Sequence, residues 1–150
     1  MTERAFASDP ESVAAARAFA AAELDAVDGG IVDRVLLLVS ELASNSVRHA
    51  HAPFVLRIDH DDDAISVAVQ DEGRGRPEVR HPAPSEPSGR GLQIVAALAD
   101  RWGIETDGPD GGPKTVWFVI RTGRPPVDGR ATADRRPWAT GSGDGTLTRP

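Results

Sequence analysis

Cysteine is absent from all 150 residues. No disulfide, zinc–thiolate site or cysteine nucleophile can be built from this chain, and the composition fits a reducing cytoplasm. Long apolar runs are missing too. The longest aliphatic stretch, VLLLV, is far short of a membrane span, and the opening MTERAFASDP lacks the apolar region of a secretory leader, so a cytosolic location without membrane insertion is expected. The Walker pattern G-x-x-x-x-G-K-[ST] occurs nowhere, which removes one class of phosphate site. No repeat of structural length is visible.

Positive charge is scarce over most of the chain. From Arg121 onward six Arg stand against three Asp, which leaves eleven Lys+Arg against twenty Asp+Glu in residues 1–120, so the body carries about −9 and the tail about +3. Such a body is a poor ligand for duplex nucleic acid. Its acidity reads as simple solubility, or alternatively as an acidic face offered to a basic protein partner.

What is present suffices for one core, since 39% of the residues are hydrophobic. Asp9-Pro10-Glu11 reads as an N-cap, a proline at the first helical position and an acid in the first turn, opening a helix through ESVAAARAFAAAEL. Asp28-Gly29-Gly30 reads as a break. In IVDRVLLLVSELASNSVRHA, Ile31, Val35, Leu38 and Leu42 fall at helical spacing, so a long amphipathic helix is expected to stop before Pro53. FVLRIDHDDDAISVAVQD then alternates with period two and predicts a hairpin, with HDDDA as its loop.

Four prolines and no periodicity make residues 76–88 a loop. Helix resumes over LQIVAALADRW, with Gly103 as its breaker. GIETD and KTVWFVIR read as a second hairpin around GPDGGP, with Val116, Phe118 and Ile120 on one face. Beyond Arg121 the chain is rich in Pro, Gly, Asp, Arg and Thr, and a disordered tail over 122–150 is expected after a domain spanning 8–121. The order helix, helix, hairpin, loop, helix, hairpin implies an α+β two-layer sandwich, with helices on one face of a mixed, mostly antiparallel sheet.

Two glycine pairs flank the proline-rich loop. Gly73-Arg74-Gly75 closes a strand and lacks the third glycine and following helix of a dinucleotide fingerprint. Gly89-Arg90-Gly91 instead runs into a helix near Leu92, where bare N–H groups and the helix dipole can face a phosphate. Glu41 and Asn45, four residues apart, share a helical face. Taken alone, they read first as structural, Glu41 as a cap and Asn45 filling a polar gap. The functional alternative is that Asn45 offers an oxygen to a hard cation such as Mg²⁺ and Glu41 offers a base.

Glu41-Leu42-Ala43-Ser44-Asn45-Ser46-Val47-Arg48-His49-Ala50, Asp71-Glu72-Gly73-Arg74-Gly75 and Gly89-Arg90-Gly91-Leu92 resemble, in order and spacing, the N, G1 and G2 boxes of the GHKL (Bergerat-fold) ATP-binding domain. Within it the first box is most similar to that of the RsbW-type anti-sigma-factor serine/threonine kinases. The resemblance implies that Asn45 binds Mg²⁺, Glu41 is the general base and Asp71 accepts a hydrogen bond from the adenine amine. It also implies that Gly73 and Gly75 pass close to the base, that 76–88 is the ATP lid, and that Gly89, Arg90, Gly91 and Leu92 meet the phosphates. Thr115 matches a family threonine near the adenine, although a strand threonine is also explained by β-propensity.

The implied partners are a sigma factor and a STAS-domain anti-anti-sigma protein whose serine receives the γ-phosphoryl group; a homodimer is implied as well. Sensor histidine kinases share the fold, but an upstream phosphoacceptor histidine has no counterpart in the first helix. A nucleotide-dependent binding module without phosphotransfer is the alternative. His49 and His51 lack a third ligand and read as helix-end residues. Arg74 and Arg90 read as lid arginines, solvated or reaching phosphates.

Overall fold

A computed structural model describes residues 1–50, 52–72, 88–107, 112–123 and 137–138. The described elements are β1 (Thr2–Phe6), α1 (Glu11–Glu23), α2 (Gly29–Asn45), one π-helical turn (Ser46–Ala50), β2 (Phe54–His60), β3 (Ala64–Asp71), α3 (Ser88–Leu98), β4 (Arg101–Thr106) and β5 (Lys114–Arg121). They form the expected α+β layout, one five-stranded sheet with its helices on one face. The strand order is β1-β2-β3-β5-β4, and every described pairing is antiparallel, so the sheet is antiparallel rather than mixed. β3 and β4 do run in the same direction. They are joined through α3 but kept apart by β5, a split β-α-β unit.

Local chemistry explains the helix starts. Asp9 accepts a hydrogen bond from the Glu11 amide through Oδ1 at 2.9 Å, and Pro10 precedes the first helical residue, so the expected opening of α1 holds within one position. Gly29 and Gly30 do not break the chain as expected; they form the first turn of α2. The Asp28 side chain caps that turn by accepting from the Gly30 amide at 3.0 Å. α1 approaches α2 through Ala16 and Ala20, both fully buried, while Val35, Leu38, Val39 and Leu42 carry α2 into the core.

The β2–β3 hairpin has the expected apolar alternation, with Leu56 opposite Val69 and Ile58 opposite Val67. Its acidic loop is built as an Asx turn. Asp61 Oδ1 accepts from the amides of Asp63 (2.9 Å) and Ala64 (3.0 Å), which is how three consecutive aspartates serve as a tight connection. Strand β1 was not legible, because only Phe6 of TERAF is buried and an edge strand with one inward apolar residue shows no alternation. Phe6 stacks on Phe54 at 5.3 Å between ring centroids, which anchors β1 to β2.

The expected helix over LQIVAALADRW ends at Leu98, and Arg101, Trp102 and Gly103 belong to β4. Gly103 does not stop a helix; it makes room for a ring. It lies opposite Trp117 on β5, and a Cβ built on it would come within 2.7 Å of the indole, which is itself 4% exposed. A buried ring lying against the neighbouring strand has little freedom to yield. Gly103→Ala should therefore cost about 1–3 kcal/mol, the range for overpacking, and lower the melting temperature measurably. A melting temperature equal to the parent's would show that the indole swings away freely.

Candidate functional site

Asn45 is the last residue of α2, and Glu41 lies one turn earlier; both are half-buried. Ser46, buried, then donates its amide to Ala43 and Leu42 as the helix widens into the π turn. A local departure from regular helix is a common way to aim the residue before it. Against this turn lies the start of α3. That helix opens at Ser88, four residues before the expected Leu92, so Gly89, Arg90 and Gly91 are its first turn.

Gly91 brings the two helices together. It is buried, and a Cβ built there would stand 3.0 Å from Asn45 Nδ2, 3.3 Å from Glu41 Oε2 and 3.5 Å from Asn45 Oδ1. A residue without a side chain lets the backbone of α3 come this close to both polar groups without displacing either. The first amides of α3 lack helical acceptors, and the dipole of the helix adds partial positive charge at the same end. A carboxylate, an amide oxygen and the positive end of a helix are thus assembled from segments about fifty positions apart in sequence. Leu92 has a different setting, packed partly buried against the core.

Asp71 ends β3 and is half-buried, with Phe54 and Lys114 as its cross-strand partners. By strand alternation it shares the face of Val67 and Val69, which belong to the core under the helices. Thr115 is 8% exposed and lies opposite Gln70, on the other face of the sheet. The register therefore does not bring Thr115 onto the face of Asp71. It brings Lys114 there, the one lysine of the chain and a residue the motif reading missed. The signal was available: Val116, Phe118 and Ile120 set the parity of β5, and Lys114 continues it.

Gly73 and Gly75, with the lid expected over 76–88 except its last residue, lie outside the described residues, as does His51. For Gly89 and Arg90 the backbone is described but not the side-chain setting. His49 is exposed. Among the described residues no group of three or more His, Asp or Glu side chains could hold a metal ion. A cation here would rest on few protein oxygens, as Mg²⁺ often does when phosphates supply the others. No described helix is long and apolar enough to cross a membrane.

The sheet layered with helices carries, at one end, a glycine-opened helix N-terminus seated against a carboxylate and an amide. The model of the histidine kinase-like ATPase domain matches residues 6–120, and the chain belongs to that family. The match runs from the end of β1 to the end of β5, so the site lies wholly within it. Membership supports ATP as the ligand and kinase-like use of it in general terms.

Proposed function

We propose that this chain is an Mg²⁺- and ATP-dependent protein serine/threonine kinase of the anti-sigma-factor type, cytoplasmic and homodimeric. In this reading it binds a sigma factor and phosphorylates a serine or threonine of a STAS-domain antagonist. The observation that supports it best is the seating of Gly91 against Asn45 and Glu41, which brings a carboxylate and an amide together at the start of α3. A site needing only affinity for nucleotide has no use for a carboxylate beside its phosphates, where like charges repel.

The roles are those the family resemblance implies for these positions. The α3 amides and dipole hold phosphate oxygens, and Asn45 offers Oδ1 to Mg²⁺. When bound, that ion neutralises charge on the phosphates. Glu41 accepts the proton of the attacking hydroxyl as its oxygen bonds to the γ-phosphorus and the bond to the ADP oxygen breaks. Asp71, on the helix-side face at the end of β3, accepts a hydrogen bond from the adenine amine. Gly73, Gly75 and Thr115 are assigned to the base by resemblance, as are Gly89, Arg90 and Leu92 to the phosphates.

Incubation with γ-labelled ATP, Mg²⁺ and candidate STAS proteins tests the whole reading. Label on an antagonist serine or threonine supports it. Tight ATP binding with no transfer to any candidate would replace the kinase with the nucleotide-dependent binding module, and absence of ATP binding would remove both.

Gly91→Ala separates site from scaffold. In a helix this exchange is worth about 1 kcal/mol in favour of alanine, so stability should hold or rise. The new methyl nevertheless pushes on the Asn45 amide from 3.0 Å. Calorimetry should show ATP affinity falling roughly tenfold, near 1.4 kcal/mol, without a drop in melting temperature. Unchanged affinity would place the nucleotide away from Gly91.

A further inference from the structure

The sheet buries residues on both faces, although every described helix packs against one. Ser66, Ala68 and Trp117 alternate with Val67 and Phe118 and so lie on the face away from α1–α3, yet they are only 5%, 0% and 4% exposed. Ala68 and Trp117 are also buried outside the helix-side core cluster. Arg57, opposite Ala68, borders the patch towards β1, where its Nε donates to Glu3 and its Nη1 to Gln70, both at 2.8 Å. Among the described elements none lies over this face. A tryptophan at 4% exposure in the middle of an outward sheet face requires a cover.

We propose that the C-terminal segment, residues 124–150, docks in cis across this outer face, with Trp138 seated in the apolar patch around Trp117, Ala68 and Gly103. Three observations select this occupant. The chain leaves β5 along a fixed path: Thr122 donates its amide to Asp63 at 3.0 Å and its hydroxyl to Asp62 at 2.6 Å, and Gly123 then takes a φ of +90°, which redirects the backbone. Trp138, the one aromatic residue beyond Arg121, is half-buried with its indole nitrogen sealed from solvent. The segment is basic and the body acidic, about +2 for residues 124–150 against −8 for the rest in net charge, so the two attract.

Reach is ample. Trp138 follows Gly123 by fifteen positions, which span up to ~50 Å when extended, whereas Trp117 lies only four positions back along β5 from Arg121, roughly 13 Å. Gly103 completes the fit, since the absence of its Cβ lets the Trp117 indole lie flat against β4 and present its other side. The segment thus becomes a third layer of the fold, in place of the disordered tail suggested by its composition.

The test uses tryptophan emission in the full chain. There is no tyrosine, and the Trp102→Phe, Trp138→Phe double variant leaves Trp117 as the sole emitter while keeping an aromatic ring at position 138. A site for a sequence-specific protease, inserted between Gly123 and Arg124, lets the segment be cut from the folded protein. Cutting should raise the acrylamide quenching constant of Trp117 severalfold and shift its emission to the red. The Trp102→Phe, Trp138→Ser variant should give the same change without cutting, and a lower melting temperature than the Trp102→Phe, Trp138→Phe protein. Quenching unaffected by cutting, or by Trp138→Ser, overturns the proposal. Quenching of the uncut protein that varies with its concentration also overturns it, because a second copy of the chain would then be the cover.

Discussion

Glu41→Gln should lower phosphotransfer to the antagonist about 10²- to 10⁴-fold while changing ATP affinity only a few-fold. The exchange keeps size and hydrogen-bonding capacity and removes the base. A competing effect must be weighed, because the Glu41 carboxylate also faces the positive end of α3 beside Gly91. Loss of that charge–dipole interaction is worth about 0.3–1 kcal/mol, a few-fold at most. The expected loss of transfer corresponds to about 2.7–5.4 kcal/mol, so chemistry dominates if Glu41 is the base. Asn45→Ala, one turn away on the same helix face, should fail differently: Mg²⁺-dependent nucleotide binding goes first, and transfer falls as a consequence. Single-turnover transfer measured beside ATP titrations separates the two. A Glu41→Gln protein with near-parental single-turnover rates would leave Glu41 as a dipole partner of α3 and nothing more.

That contrast could be drawn from sequence because the Glu41–Asn45 motif of α2 and the glycine pair are local patterns. Glu41 and Asn45 at i, i+4 share a face in any helix, and Gly89-Arg90-Gly91 before an apolar helical run marks a helix start wherever it occurs. Their meeting was not local. That Gly91 sits within a methyl group's distance of Asn45 depends on how α3 crosses α2, and only the resemblance to a known family anticipated it. The two-layer architecture was legible for a similar reason, since the alternation in β2, β3 and β5 is strong wherever one face meets the helices.

Misreadings fell where a residue has more than one physical use. Gly29 and Gly30 resemble a break, but a capping aspartate turns them into a helix start. Gly103 resembles a helix stop, but it accommodates an aromatic ring from the neighbouring strand, a contact invisible until the β4–β5 register is known. In each case a pairwise relation between distant segments decided what a single-residue preference left open. The burial of Trp117 belongs to the same group, as its position in KTVWFVIR shows only that it faces away from Phe118.

Asp71→Ala should weaken ATP roughly 10- to 150-fold and erode discrimination against GTP, because a hydrogen bond to a charged acceptor is worth about 1.5–3 kcal/mol. Adenine presents an exocyclic donor where guanine presents a carbonyl, so an ionised carboxylate at this position attracts the first and repels the second. Stability should suffer little: Asp71 is the last residue of β3 and half-buried, and the pairing of β3 with β2 and β5 is carried by backbone groups along eight residues. Lys114 sharpens the test. It lies directly opposite Asp71 on the same face, so removal of the carboxylate leaves a cation near the base, where it favours the guanine carbonyl over the adenine amine. GTP should therefore gain relative to ATP in Asp71→Ala, and less so in Asp71→Ala, Lys114→Ala. Calorimetric titration of the parent and both variants with each nucleotide, alongside their melting temperatures, measures this. Parental ATP affinity in a stable Asp71→Ala protein would remove Asp71 from the base site, and a GTP preference that Lys114→Ala leaves untouched would remove Lys114.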